Sequence, residues 1–170
     1  MFDVSSIRII PDFPKAGVNF YDITTLLNNQ KEFRNAIQDM LGVAQDINPD
    51  VIVAFETRGF FFGPTLAYMM DVPFVPIRKK GKLPGAVYSE CYELEYGQDV
   101  IEIHQGSIRQ NQRILLVDDI LATGGTMEAG VKLVRYFNPA SIDSLFLLEL
   151  KELKGRERLS GYNVHSLVQL

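Results

Sequence analysis

Two apolar periods run through this chain, and the places where one gives way to the other mark out its elements. Phe33, Ile37, Met40, Leu41, Ala44 and Ile47 recur at the spacing that puts side chains on one face of a helix. Asn48-Pro49-Asp50 breaks that rhythm and ends the helix. Beyond it, apolar residues come in short runs. Val51–Phe55 and the four residues 114–117 are unbroken, the pattern of strands covered on both faces in a parallel sheet. Segment 142–150 reads as a further strand, and 163–168 as a fifth or a short addition. Segment 72–77 is another strand, whose Pro73 and Pro76 imply irregularity or an edge. Helical spacing returns over 63–70, and again at Met127, Val131, Val134 and Phe137.

Strands separated by helices predict a parallel α/β sheet, with its ligand crevice beyond the strands' C-terminal ends. Segment 80–108 interrupts the alternation. Gly81 and Gly85 open it, and Tyr/Glu-rich alternating positions follow, which predicts a loop and an antiparallel hairpin.

Composition narrows the class. At 170 residues with 46% hydrophobic content, the chain reads as one globular domain, 1–170. A net charge of −4 argues against a nucleic-acid partner. No apolar run reaches the roughly 18 residues of a membrane span. Asp3, Arg8 and Pro11 leave no room for the apolar core of a signal peptide. A single cysteine, Cys91, forbids an internal disulfide and fits a reducing cytoplasm. With two histidines beside it, a dedicated zinc site is not expected.

The chemistry concentrates at predicted strand ends. Residues 113–126, RILLVDDILATGGT, carry a strand into Asp118 and Asp119 and then into a Gly/Thr loop that opens a helix. Such a loop points backbone N–H groups at an anion, and the helix dipole adds to the attraction. Two carboxylates just upstream suit ribose hydroxyls or a magnesium ion. Glu56-Thr57-Arg58-Gly59 follows another strand, and Arg78-Lys79 a third. Arg58 beside Gly59 is a phosphate grip, since glycine admits close approach and guanidinium binds oxyanions bidentately. Arg78, Lys79, Lys80 and Lys82 put four cations in five positions among glycines. They make either a solvated face or a mobile basic loop that meets a diphosphate leaving group. Cations and carboxylates on one rim imply a strongly anionic substrate bearing hydroxyls.

VDDILATGGT resembles the phosphoribosyl pyrophosphate (PRPP) motif of type I phosphoribosyltransferases. DFPKAGVNFYDIT at 12–24, TRGFFFGPTLA at 57–67, RKKGKLPG at 78–85, YELEYG at 92–97 and LKGRERL at 153–159 are similar to the adenine branch of that family. The resemblance implies a parallel sheet core flanked by helices, a small N-terminal hood over roughly 1–30 and a flexible flap over roughly 80–108. It implies adenine and PRPP as substrates, AMP and pyrophosphate as products, Mg2+ as cofactor, and a homodimer. PRPP would be held by Asp118, Asp119, Ala122, Thr123, Gly124, Gly125, Thr126, Arg58, Arg78, Lys79, Lys82 and Tyr96. Glu95 and Arg58 would be catalytic. Asn19, Phe20, Tyr21 and Ile120 would receive the adenine, Phe20 by stacking, Ile120 from the other face, and Asn19 and Tyr21 through backbone groups. No direct metal ligand is implied, beyond Asp118 or Asp119 reaching Mg2+ through water.

The chain departs from the usual pattern at Glu56-Thr57, where Asp-Ser is commoner, and at Tyr21, where many relatives carry Arg. Two other readings are weighed. Transfer to hypoxanthine, guanine or xanthine would use a different hood. A PRPP-sensing regulator would need a DNA-binding module and a basic surface, and an acidic chain of this length has room for neither.

Overall fold

The computed structural model describes residues 2–93 and 98–170. The chain forms two compact units, Met1–Asp39 and Met40–Leu170. In the first unit, β1 (Arg8–Ile10) pairs antiparallel with β2 (Phe20–Asp22). Register sets Arg8 opposite Asp22, and the guanidinium meets the carboxylate at 2.5 Å. A single turn, α1 (Thr24–Leu27), follows. Phe13 and Phe20 meet edge to face, with ring centroids 5.2 Å apart. Asn19 is exposed, whereas Phe20 and Tyr21 are half-buried.

Helix α2 (Gln30–Ile47) runs across the unit boundary. It buries Ala36, Ile37, Met40 and Ala44, the face its periodicity predicts. It stops where Asn48 turns left-handed, at φ 52°, ahead of Pro49.

The second unit is built on seven strands. They are β3 (Val51–Phe55), β4 (Phe74–Lys79), β5 (Val87–Glu93), β6 (Gln98–His104), β7 (Arg113–Leu121), β8 (Ser141–Glu149) and β9 (Asn163–Gln169). Their order is β5-β6-β4-β3-β7-β8-β9. The five from β4 to β9 run parallel, while β6 and β5 add an antiparallel hairpin at the β4 side. Helices α3 (Gly63–Met70) and α4 (Gly125–Arg135) cover the two faces. A Cβ on Gly63 would strike the Ala54 side chain, and one on Gly130 the Phe55 ring, so successive β3 residues face different helices. Ile114 and Leu116 share a core with Met127, Val131 and Val134 of α4, and Leu115 and Val117 are equally buried on the other face. The burial explains the unbroken apolar run.

Three boundaries differ from the sequence pattern. Strand β7 does not end at the aspartates. Its pairing with β3 stops at Val117, but pairing with β8 continues from Asp118 opposite Phe146 to Leu121 opposite Glu149. Helix α4 stops at Arg135, short of Phe137, because Asn138 turns left-handed before Pro139. Strand β4 begins at Phe74 and runs on to Lys79. It meets β6 only through Arg78 and Lys79, so Pro76 lies where the strand is still an edge.

Candidate active site

Beyond the C-terminal ends of β3 and β7, the second unit holds a cavity of about 140 Å³. Arg58, Asp118, Ile120 and residues 122–126 line it, with Leu121, Met127 and Phe146. A sequence separation of more than sixty positions is thus closed by two adjacent parallel strands. Arg58 opens a 3-10 turn, Arg58–Phe61, after β3. That turn lies directly on β7, since a Cβ on Gly59 would stand 2.8 Å from the Val117 carbonyl oxygen and 3.2 Å from Asp118 Oδ1. Only glycine admits so close an approach without a shift.

Asp118 continues the β7 face of Ile114 and Leu116, while Asp119 points the other way and is 1% exposed. Arg58 Nε lies 2.9 Å from Asp119 Oδ2, yet that oxygen accepts no hydrogen bond of good geometry among the described residues. Burial, followed by the negative charge of Asp119, pushes the Asp118 carboxyl well above the usual carboxylate range. Burial also raises Asp119, with Arg58 opposing the rise. Two adjacent carboxyls held in this way are primed to accept hydrogen bonds or positive charge from a ligand.

The 122–126 loop follows at once. Gly124 takes φ 83° as the N-cap of α4, and its carbonyl accepts the first helical hydrogen bond from Glu128 at 2.9 Å. The preceding amides have no partner within the helix and converge where an anion is favoured.

The basic segment behaves differently. Arg78 Nη2 donates to Glu56 Oε1 at 3.2 Å, and Nη1 to the Lys82 carbonyl at 3.2 Å. Burial works against Glu56, but the Lys79 amide and Arg78 together hold its carboxyl below the ordinary value. The pairing that Glu56 and Arg58 invite by proximity is therefore replaced by Glu56–Arg78 and Asp119–Arg58. Lys79 Nζ sits 3.0 Å from Asp99 Oδ2. Lys80 and Lys82 are exposed. None of the four cations lines the cavity. Asn19, Phe20 and Tyr21 belong to the first unit, and Glu95 and Tyr96 lie outside the described residues.

Sequence reading missed one partner of the loop. Gly155, between β8 and β9, packs its backbone against that of Gly124. The Gly-Arg pair inside LKGRERL was the available signal, but glycine in a loop has many uses.

Residues 22–168 match the model of the phosphoribosyl transferase domain. The adenine phosphoribosyltransferase of Desulforamulus reducens is 48% identical, the match covering 98% of this chain and 96% of that protein. The crystal structure of adenine phosphoribosyltransferase from Thermoanaerobacter pseudethanolicus aligns with a TM-score of 0.92 at 47% identity, over 98% of this chain and 96% of that one. The Saccharomyces cerevisiae enzyme, complexed with adenine and an imino-altritol bisphosphate, aligns with a TM-score of 0.88 at 38% identity, over 94% and 93%. Fold, cavity chemistry and near full-length identity agree, and the chain belongs to the adenine phosphoribosyltransferase family.

Proposed function

We propose that this protein joins adenine to PRPP, releasing pyrophosphate and forming AMP. The observation that carries the reading is the single cavity in which Arg58, Asp118 and the 122–126 loop meet. Its parts match the phosphate, the ribose hydroxyls and one contact to the pyrophosphate of PRPP. The amides of Ala122, Thr123, Gly124, Gly125 and Thr126 take the 5-phosphate, with the two hydroxyls in support. Asp118 and Asp119 take the ribose hydroxyls, which supply the hydrogen bond that Asp119 Oδ2 lacks among the described residues. Arg58 reaches the pyrophosphate, and Lys82 approaches it from its loop. Arg78 shapes that loop through the Lys82 carbonyl, while Lys79 adds positive field beside it.

Among the described residues, no group of three or more His, Cys, Asp or Glu gathers where it could hold a metal ion. Asp118 or Asp119 would hold a substrate-borne Mg2+ through water. When bound, the ion neutralises charge on the leaving diphosphate. The chain's own contribution is positional and electrostatic. Bond breaking builds positive charge on the ribose ring, and the Glu95 carboxylate answers that charge near the base. The resemblance assigns Tyr96 the task of covering PRPP and excluding water. Adenine recognition is assigned to Phe20, to the backbone of Asn19 and Tyr21, and to Ile120.

The chain works as one enzyme domain and as a homodimer. Tyr68 and Met69 of α3 are 88% and 45% exposed, and Phe61 ahead of α3 36%, apolar side chains that a second copy would cover. No helix among the described residues is long and apolar enough to cross a membrane, and the exposed free thiol of Cys91 suits the cytoplasm.

A product assay tests the reading, with PRPP, Mg2+ and one purine per reaction. AMP from adenine alone is expected. Nucleotide from hypoxanthine or guanine would overturn the base assignment, and none from any base would overturn the enzyme. Glu95→Gln should lower kcat by about 10²-fold or more and change PRPP binding less. An unchanged kcat would remove Glu95 from the mechanism.

A further inference from the structure

The segment between β8 and β9 holds two 3-10 turns, Lys151–Leu153 and Gly155–Leu159. It touches the phosphate-loop region at one place with unusual closeness. A Cβ on Gly124 would stand 2.5 Å from the Gly155 carbonyl oxygen. A Cβ on Gly155 would stand 2.2 Å from the Ala122 carbonyl oxygen and 3.0 Å from the Gly124 nitrogen. The two glycines therefore meet backbone to backbone. Gly124 needs to be glycine for its left-handed φ as well. Gly155 does not, because its φ is not positive. Space for the loop is the one demand on it.

What holds Gly155 there is its neighbour. Arg156 donates from Nε and Nη2 to the two oxygens of Glu149, at 2.9 and 2.5 Å. Its Nη1 donates to the Val164 carbonyl at 2.7 Å. Ser166 Oγ donates to Glu149 Oε2 at 2.6 Å. Glu149 is 5% exposed, and the hydrogen bonds of Arg156 hold its carboxyl below the ordinary range. Register places Glu149 opposite Leu121, the residue immediately before the loop. A bidentate pair of this kind fixes both distance and orientation. Further along the segment, Leu159 is buried in the core.

We propose that Gly155 is a positioning residue for the 122–126 loop, and that the Glu149–Arg156 pair is the clamp that seats it. The backbone of Gly155 is the wall that fixes the Ala122 carbonyl and the Gly124 amide, and through them the direction of the amides offered to the 5-phosphate. The inference rests on reading that loop as the 5-phosphate seat. It predicts a defect confined to ligands that carry a 5-phosphate.

Calorimetry on the full chain with Mg2+ tests it, using AMP and pyrophosphate as separate probes, alongside steady-state KM values. Gly155→Ala should weaken AMP and raise the KM for PRPP by about tenfold, with pyrophosphate affinity within about twofold of wild type. Arg156→Gln leaves the space at Gly155 intact, and should raise the same two constants by roughly three- to tenfold, with Arg156→Lys recovering part of the loss. It keeps the test decisive if Gly155→Ala does not fold. Unchanged AMP binding in the folded variants overturns the proposal. Equal weakening of AMP and pyrophosphate overturns it too, because that is general loosening. Thr126→Asp tests the underlying reading by placing an anion at the seat itself. AMP lost there but kept in Gly155→Ala sinks the clamp alone, whereas AMP kept in both sinks the loop reading with it.

Discussion

Aspartates stand at the two ends of β7 in opposite conditions, Asp50 just ahead of β3 meeting the first residue of β7, and Asp118 and Asp119 lying within the strand near its other end. At its start, Asp50 accepts from the Arg113 amide at 2.7 Å, from Nε at 3.1 Å and from Nη2 at 2.8 Å. Those Arg113 hydrogen bonds hold the Asp50 carboxyl down to about 2. At the other end, Asp118 and Asp119 are pushed upward by burial, and the Asp119 oxygen nearest Arg58 lacks a hydrogen bond among the described residues. The strand thus meets a fully paired carboxylate at its start and carries near its other end a pair in which one buried oxygen, Asp119 Oδ2, lacks a hydrogen bond among the described residues. The first pins the chain to itself. The second keeps its interactions for something that arrives later, as expected where function and stability compete for the same groups.

The largest effect is expected at the Asp118–Asp119 end of β7. Asp118→Asn with Asp119→Asn should cut kcat/KM by about 10³-fold or more, while Tm, read by thermal melting, stays level or rises. A fall in Tm as large as that for the other end would erase the distinction. Asp50→Asn should do the reverse, lowering Tm by a few degrees and leaving kcat and KM within about twofold. A large kinetic defect there would mean that the strand's start also shapes the site.

The finest expected effect is in pH. Asp50 is lowered in the folded chain from an ordinary 3.8 to about 2. The folded state therefore binds fewer protons, so this stabilisation is full above the ordinary value and is lost as pH falls from about 4 to about 2. The aspartate pair is raised, so the sign reverses. Its contribution is most favourable in acid and is lost as pH climbs through the raised folded values. Carbon-detected NMR titration separates them, with the Asp50 carboxyl changing near pH 2, Asp118 well above the ordinary carboxylate range and Asp119 above its ordinary value. Identical midpoints would contradict both assignments.

Much of this architecture was legible beforehand. The α2 face, Val51–Phe55, α3 and the hairpin in 80–108 all follow from spacing and punctuation, because these depend on near neighbours and one buried face. Boundaries were less legible. The aspartates looked like the end of β7, yet β8 outruns β3 and carries the strand to Leu121. Nothing within residues 113–126 reports how far a neighbouring strand extends. At the site, Arg58, Asp118 and the 122–126 loop converge as their place after successive strands implies. The basic run was harder to read, since four cations in five positions look alike in sequence while Arg78 meets Glu56, just past β3, and Lys79 meets Asp99 on β6.

What the chain alone determined is the menu of elements and the chemistry offered at each strand end. An apolar run must be covered, a Gly/Thr loop must cap its helix, and both demands are local. What only the tertiary structure decided is which group meets which. Arg58 goes to Asp119 rather than to Glu56, and Gly155 closes on Gly124 across some thirty residues of intervening chain. Pairings of this kind depend on strand register and on which backbones touch. Those are set by the packing of the whole sheet, so no stretch of neighbouring residues contains them.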